Sequence, residues 1–487
     1  MGTTSMPGAD LASIPSKPAE RARSSEPLRV HPDNPRYFTD GSGRAIYLTG
    51  SYTWLDLQDG TLTGADLTFD YEGFLDFLGQ HKHSFFRLWT WESSLWILPD
   101  SRAVELGPLP FQRTGPGVAF DGKPKLDLTR FDPAYFQRLR RRVESAQNRG
   151  VYVGVMLFQG FSVARKSKKR QKSPWQAHPF NVANNINGID GDLNGDGEGY
   201  ETHTLALPHV TRLQEAYVRK VIDTISDLDN VIYEISNESH GDSARWQSHM
   251  IDLIHEYERG KPKQHPVWMS FTWDGMAGSG KDADLFDSPA EAVSPRGEST
   301  GRGRGAWTYA VDPPVADGSK VVITDTDHLW GVGGDAKWVW KSFCRGLNPI
   351  FMDPYKNSPL HIEAEPEVRW QGVRRAMGVT ARWAERIDLA HMTPTADPAE
   401  CTTRYCLRNS SAEVLAYQPG AGSFSVGLAA GTYRYEWFDP TANRQTGSGR
   451  FDWPGGRREF RPPFNGPAVL RLKTTDTPTT HLQPEIP

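Results

Sequence analysis

The sequence predicts an α/β protein, a (β/α)8 TIM barrel followed by a small all-β sandwich. Three observations lead there. Short runs apolar on both faces recur from Ile46 to Pro354, as expected of parallel strands covered by helices. Helical patterns separate several of them. After Ile387 the texture changes to short alternating runs broken by Gly, Pro and Asn turns. A chain of 487 residues fits one large unit plus an accessory module. Residues 28–392 are read as the barrel, 395–475 as the sandwich, 1–27 as a disordered lead-in and 476–487 as a loose tail.

The eight expected barrel strands are AIYLTG (45–50), SFFRLW (84–89), VYVGVMLF (151–158), NVIYEIS (230–236), PVWMSF (266–271), ADLF (283–286), KVVITD (320–325) and NPIFMD (348–353). YEGFLDFLGQHK precedes the second, and PAYFQRLRRRVESAQNRG, with Pro at its start and Gly150 at its end, precedes the third. VTRLQEAYVRKVIDTISDL precedes the fourth, and EVRWQGVRRAMGVTARWAERI follows the last. TRYCLRN, AEVLAYQPG, SFSVGL, GTYRYEWFDP, RREFRPP and AVLRLK are the strands of the second module, joined to the barrel by HMTPTADPAE.

The balance of 55 Lys+Arg against 59 Asp+Glu, a formal net charge of −4, gives no global basic field to recruit nucleic acid. No stretch reaches the roughly 18 apolar residues of a membrane span, and MGTTSM meets a loose myristoylation pattern with no second anchor near it. The lead-in lacks the apolar segment of a secretory leader. Cys344, Cys401 and Cys406 have no ligand-type spacing; Cys401 and Cys406 can pair across a tight turn or stay reduced. Sixteen tryptophans, many beside turn signals, suit sugar faces as well as cores.

In such a barrel the chemistry sits at the C-terminal ends of the strands. VIYEISNESH starts as a buried strand and ends in Asn237, Glu238, Ser239 and His240, a conflict of patterns that marks a functional site. Glu238 closes strand four, with Glu234 of the same parity deeper inside and Arg87 of strand two as a neighbour for either. Strand seven ends VVITDTDHLWG, where Asp325 and Asp327 share a parity and His328 follows. Glycoside hydrolysis needs a protonated acid at the leaving oxygen and an ionised carboxylate that attacks the anomeric carbon or activates water, roles open to Glu238 and Asp325.

On RLWTWE, NNINGIDGDLNGDGEG, YEISNES and DTDHLWG, the chain resembles the clan of glycoside hydrolases that includes cellulases. It is most similar to cellulase-like, apiosidase-like bacterial proteins with a C-terminal module named for collagen binding. The resemblance runs from NPRYFTDGSGRAIYLTGSYTW to GPAVLRLK. It implies Glu238 as acid/base, Asn237 as its partner and Arg87 as the strand-two arginine. Asp325 stands where the clan carries a Glu nucleophile, and the shorter side chain leaves Asp327 as a rival. A retaining mechanism implies carboxyl groups about 5 to 5.5 Å apart, an inverting one about 6.5 to 9.5 Å.

Further expectations concern substrate and metal. Trp89, Trp91, Trp175, Trp273 and Trp330 fall at or after strand ends, as sugar platforms or as packing, and His178, His240, His328 and Asp353 are candidate hydroxyl ligands. DLNGDG has the alternating oxygens of a calcium loop, Asp192, Asn194, Asp196 and Glu198, but His203 in place of the closing Glu, so a structural calcium site and a polar rim turn are both open. RKSKKRQK, Arg165 to Lys172, is a solvated loop or a contact for acidic polysaccharide. The expected function is a glycosidase for a plant or bacterial polysaccharide or oligosaccharide, with no organic cofactor. The alternatives are a non-catalytic carbohydrate-binding protein, or a metal-dependent hydrolase with Asp325, Asp327 and His328 on the cation.

Overall fold

The computed structural model describes residues 26–475 except 63–64, 99, 164–172, 273–279, 357–366 and 411. The expected lead-in up to residue 25, the tail from 476, the basic run and Trp273 lie outside the described residues. No helix among the described residues is long and apolar enough to cross a membrane.

Eight parallel strands form the barrel: β1 (Gly50–Tyr52), β2 (Phe85–Leu88), β3 (Tyr152–Gln159), β4 (Val231–Asn237), β5 (Val267–Ser270), β6 (Ala292–Ser294), β7 (Val321–Asp325) and β8 (Asn348–Met352). Each pairs with its neighbours in sequence, and β8 pairs with β1. The ring closes where the N–H groups of Ser84 and Phe85 donate to the Thr49 carbonyl at 2.8 and 3.3 Å. Every β2, β4 and β7 residue is buried, which is why these strands read as unbroken apolar runs.

Two strand expectations fail. The first stave begins at Gly50, because Ile46 is taken by a bridge to Phe38 outside the barrel. ADLF belongs to a short helix, Asp282–Phe286, whose first turn carries Asp282 and Asp284, acids that suit a helix N-terminus. The sixth stave is the three-residue segment Ala292–Ser294, paired to Trp268 and Ser270 on one side and Val321 on the other. Too short to show a period, it lies between Pro289 and Pro295.

Four helices fall where the 3.6-residue pattern puts them, and two more, Ala244–Glu258 and Ala336–Cys344, are additional to those patterns. α1 (Tyr71–His81) is capped by Asp70, whose carboxylate accepts from the Gly73 N–H, and α2 (Pro133–Asn148) by Asp132 with Pro at its first position. α3 (Pro208–Ile225), α4 (Ala244–Glu258), α5 (Ala336–Cys344) and α6 (Gln371–Arg386) complete the outer layer. The loops after β1 and β2 carry a four-stranded antiparallel sheet (Asp59–Leu62, Ala65–Leu67, Leu95–Ile97, Ala103–Gly107) and a hairpin (Phe111–Val118 with Pro124–Phe131). Being βα loops, they stand at the rim where the strands end.

The C-terminal unit is one antiparallel sheet of β9 (Thr393–Thr395), β10 (Cys406–Asn409), β11 (Glu413–Gln418), β12 (Phe424–Asp439), β13 (Arg444–Phe460) and β14 (Ala468–Thr474), ordered β9-β10-β11-β14-β12-β13. Only residues 433–438 of β12 pair with β14. The first half of β12 leaves the ladder, and Phe424, Val426 and Leu428 close over Val414, Leu470 and Leu472, giving the two-layered sandwich core. Cys401 and Cys406 are buried there as free thiols, and Cys344 is buried in the barrel helices. The opposite face packs on the barrel. Phe438 meets Trp383 edge-on at 5.6 Å and Tyr417 stacks on Trp340 at 5.6 Å. Phe438→Ala is therefore expected to cost about 3 kcal/mol of stability, read as a lower denaturant midpoint; an unchanged midpoint contradicts this docking.

Candidate active site

The centre of the barrel mouth is one guanidinium. Arg87, on β2, is fully buried. Its Nε donates to Glu234 Oε2 at 2.9 Å and its Nη2 to Glu234 Oε1 at 2.5 Å, a bidentate pair between β2 and β4. Nη2 also donates to Asn237 Oδ1 at 2.8 Å; Nη1 donates to Asp325 Oδ2 at 2.8 Å and to the Tyr52 hydroxyl at 3.1 Å. One cation thus joins staves one, two, four and seven. Tyr52, Trp89 and Trp268 surround it with ring faces 4.9, 5.0 and 5.2 Å away. Burial alone would lower the Arg87 pKa, but Glu234, Tyr52 and Asp325 hold it well above its ordinary value.

Glu238 follows the last β4 residue in a left-handed conformation, φ 48°. Strand parity therefore ends at Asn237, and Glu238 is aimed by the turn instead of by the pleat that sets Glu234. That turn is pressed against Gly160 at the end of β3: a methyl group there would lie 2.3 Å from the Glu238 carbonyl oxygen and 2.5 Å from Ser239 Cα. The Ser239 hydroxyl contacts Ser236 Oγ at 2.6 Å and His203 Nδ1 at 3.0 Å, and His203 Nε2 meets Glu92 Oε1 at 3.0 Å. Glu92 also accepts from His178 Nε2 at 3.3 Å and from the Gln159 N–H at 2.6 Å. Burial would raise the Glu92 pKa, yet the two imidazoles bring it down to about 2.

Strand seven supplies the facing acids. Asp325 Oδ1 accepts from the Tyr52 hydroxyl at 2.6 Å and the Asp327 N–H at 2.9 Å, while Oδ2 accepts from Arg87. Burial pushes its pKa up to about 6 against the lowering pull of Arg87 and Tyr52. Asp327 lies in the helical turn Thr326–Leu329 that Asp325 caps, so the strand parity linking the two acids does not hold. Its Oδ2 has no hydrogen-bond partner among the described residues, and Arg87 Nη1 is 3.8 Å away. Burial, then the charges of Glu238 and Asp325, raise the Asp327 carboxyl well above the carboxylate range.

His328 bridges Ser294 Oγ at 3.2 Å and Asn237 Oδ1 at 3.3 Å. Burial, Arg87 and Arg296 lower its pKa far below the usual range, which favours the neutral ring between these contacts. Arg296, just beyond β6, is sandwiched between Phe271 at 3.9 Å and Trp307 at 3.6 Å.

Of the residues expected at the site, Arg87, Asn237, Glu238, Asp325, Asp327 and His328 come together. Others serve the scaffold. Trp89, Trp91 and Trp175 are buried in packing, and Trp330 is half-buried, edge-on to Trp338 at 5.4 Å. His178 stacks on Trp175 at 5.0 Å and bonds Glu92. His240 Nε2 bonds the Tyr200 carbonyl at 2.9 Å, and Asp353 is clamped by buried Arg374, Nε to Oδ2 at 2.8 Å. Tyr52, Glu92, Gly160, His203 and Arg296 were not foreseen. Only Tyr52 carried a usable signal, as a polar aromatic at a strand end, hidden by placing β1 too early.

In the DLNGDG loop, Asp192 accepts from the Asp196 and Gly197 N–H groups, Asn194 from Asp196, and Asp196 from Glu198, which closes the turn with its own side chains. Among the described residues no group of three or more His, Cys, Asp or Glu gathers that could hold a metal ion. At strand seven Arg87 Nη1 lies 2.8 Å from Asp325 Oδ2 and 3.8 Å from Asp327 Oδ2.

Residues 106–287 match the model of a domain of unknown function, DUF6298. No curated protein matches the chain. Several solved structures share its fold. A glycoside hydrolase is 12% identical with a TM-score of 0.52, covering 93% of this chain and 98% of that one. A family 5 glycoside hydrolase from Bacteroides vulgatus is 12% identical with a TM-score of 0.56, covering 93% and 95%. A second protein from that bacterium, provisionally a glycoside hydrolase, is 14% identical with a TM-score of 0.60, covering 93% and 83%. At these identities the likeness establishes the barrel with its C-terminal β unit.

The Tyr52 hydroxyl bonds the charged form of Asp325 and so lowers its pKa. In Tyr52→Phe the Asp325 midpoint should move above about 6, followed by carboxyl 13C NMR during a pH titration; an unmoved or lower midpoint contradicts the assignment.

Proposed function

We propose that the protein is a glycosidase that cleaves an O-glycosidic bond of a plant or bacterial polysaccharide or oligosaccharide. Glu238 is its acid/base and Asp325 its nucleophile or base. The observation that carries this reading is the Arg87 hub, which ties Asn237, the residue before Glu238, and Asp325 to the same guanidinium. Two carboxyl groups on staves four and seven are then held about one opening, the arrangement glycoside hydrolysis requires. The glycoside hydrolases that share the fold support it.

Asp325 is preferred to Asp327 for the ionised role. A carboxylate has about four lone-pair sites, and Asp325 gives three to Tyr52, Asp327 N–H and Arg87, so one remains for an anomeric carbon or a water. It is charged above about pH 6, whereas burial and the charges of Glu238 and Asp325 push the Asp327 carboxyl well above its ordinary range. Asp327, with a free oxygen, is suited to a sugar hydroxyl. Glu238 would deliver its proton to the leaving oxygen, and the second N–H of the Asn237 amide, beyond the one facing Gln159 Oε1 at 3.5 Å, is open to substrate. Both proton donor and carboxylate belong to the chain, so the reaction needs no organic cofactor.

A screen of polysaccharides, with the anomeric configuration of the first product followed by NMR, tests the reading and separates retention from inversion. Glu238→Gln should lower kcat by about 10²- to 10⁴-fold with glycan binding retained; tight binding by the native protein without any sugar release would identify a non-catalytic binder. Since the Asp325 carboxylate is lost as pH falls through about 6, kcat/KM should drop on the acid side of that value. A flat profile between pH 5 and 7 removes Asp325 from the role.

A further inference from the structure

The C-terminal sheet carries a row of like charges in register. Arg434 of β12 lies directly opposite Lys473 of β14 on one side and Arg450 of β13 on the other. Directly opposed side chains on neighbouring strands have Cβ atoms about 5 Å apart, where like charges destabilise a sheet. All three are exposed, and among the described residues none makes an ion pair or side-chain hydrogen bond. The acids nearby are engaged: Glu436 holds Arg386 of α6 with both oxygens at 2.9 Å, Glu413 accepts from Arg471 Nε at 2.6 Å, and Asp452 accepts from the Thr432 hydroxyl at 2.7 Å. Arg386, Arg434, Arg450, Arg471 and Lys473 therefore face Glu413, Glu436 and Asp452, an excess of two positive charges on a chain whose formal net charge is −4.

This face also has shape. Arg471 and Lys473 alternate with Leu470 and Leu472, which enter the sandwich core, so the row lies on the face that docks on the barrel, one step past the contact with α6. The sheet forms a groove of about 520 Å³ there, lined by Arg434, Glu436, Gln445, Arg450, Arg471 and Lys473. Helix α6 follows the last stave and runs back along the barrel, so the groove is remote from the strand ends that carry Glu238 and Asp325.

We propose that this groove docks a carboxylate-bearing polysaccharide, a polyuronate, with Arg434 at its centre. The proposal rests on the glycosidase reading for the polymer being a glycan; the charge row supplies the demand for anions. An extended chain laid across the three strands meets a cation at each strand spacing, about 4.8 Å, and its carboxylates relieve the repulsion that the free sheet bears.

The test is binding of the full chain to polygalacturonate, by affinity electrophoresis and calorimetry, beside a neutral galactan and a DNA duplex. The native protein should retain polygalacturonate, release it near 1 M salt where the screening length falls to about 3 Å, and leave the galactan and the DNA largely unbound. With each exposed pair worth about 0.2 to 1 kcal/mol, Arg434→Thr, Arg450→Thr and Lys473→Thr together should weaken binding on the order of tenfold, with Tm equal or higher because the like charges are gone. Turnover of a small aryl glycoside should be unchanged. Equal binding by the triple variant, or equal retention of galactan or DNA by the native protein, overturns the proposal. Polygalacturonate binding by a native protein that releases no sugar from any substrate, weakened in the triple variant, would remove the glycosidase reading and leave the docking site standing.

Discussion

A single buried guanidinium organises the mouth of this barrel. Arg87 has no exposure to water, and the cost of removing an ionised group from solvent is offset only if its hydrogen bonds are met in the interior. Here they are met by Glu234, Asn237, Asp325 and Tyr52, on three strands other than its own. Removing one partner of such a pair typically costs about 3 to 5 kcal/mol, because the remaining charge is left uncompensated. The stave positions and the site geometry are thus coupled: a shift of β4 or β7 that disturbed the catalytic candidates would also break the network that closes the interior.

The turn at Glu238 shows how the rest of the mouth is fitted to that hub. A glutamate at positive φ is a strained arrangement that surrounding structure must impose. Gly160 beneath it and the Ser236, Ser239, His203 and Glu92 chain beside it provide that imposition, one by leaving no room for a Cβ and the other by a buried run of hydrogen bonds. The same Glu92 accepts from the backbone N–H of Gln159, whose side chain meets Asn237, so the turn is referenced to β3 as well as to β4.

Most of the barrel could be read from sequence because parallel strands under helices must be apolar on both faces and the helices must carry a 3.6-residue stripe. What failed were places where local pattern is silent. Ala292–Ser294 is too short to show a period, and ADLF, apolar enough for a strand, is held as a helix by its acidic first turn. Asn237, Glu238 and Asp325 stood out because polar groups at the end of a buried run are costly without a purpose. Strand parity, however, could not place Glu238 or Asp327, since one sits on a left-handed turn and the other inside a cap. The tryptophans stayed open for a simpler reason: a ring beside a strand end serves a cleft or a core equally well; Trp89, Trp91 and Trp175 are buried, Trp89 against the Arg87 guanidinium at 5.0 Å.

Charge crowding sets the carboxyl groups of the mouth apart. Glu234 and Asp325 bond Arg87 directly, Asp327 lies 3.8 Å from it and Glu238 acts on Asp327, and in a poorly solvated interior so many carboxyl groups beside one guanidinium repel one another when ionised. The cation's hydrogen bonds distinguish these groups. Glu234 has the bidentate face of Arg87, and Asp325 has Nη1 together with the Tyr52 hydroxyl, both of which pull the Asp325 pKa down against burial. Asp327 sits 3.8 Å from the same nitrogen with no bond to it, and burial, then the neighbouring Glu238 and Asp325, raise its pKa well above the carboxylate range. Burial, one guanidinium, the Tyr52 hydroxyl and the neighbouring carboxyl groups thus act unequally on Asp325 and Asp327, side chains of the same chemical kind. That separation is the physical requirement for acid and base chemistry by carboxyl groups at one pH.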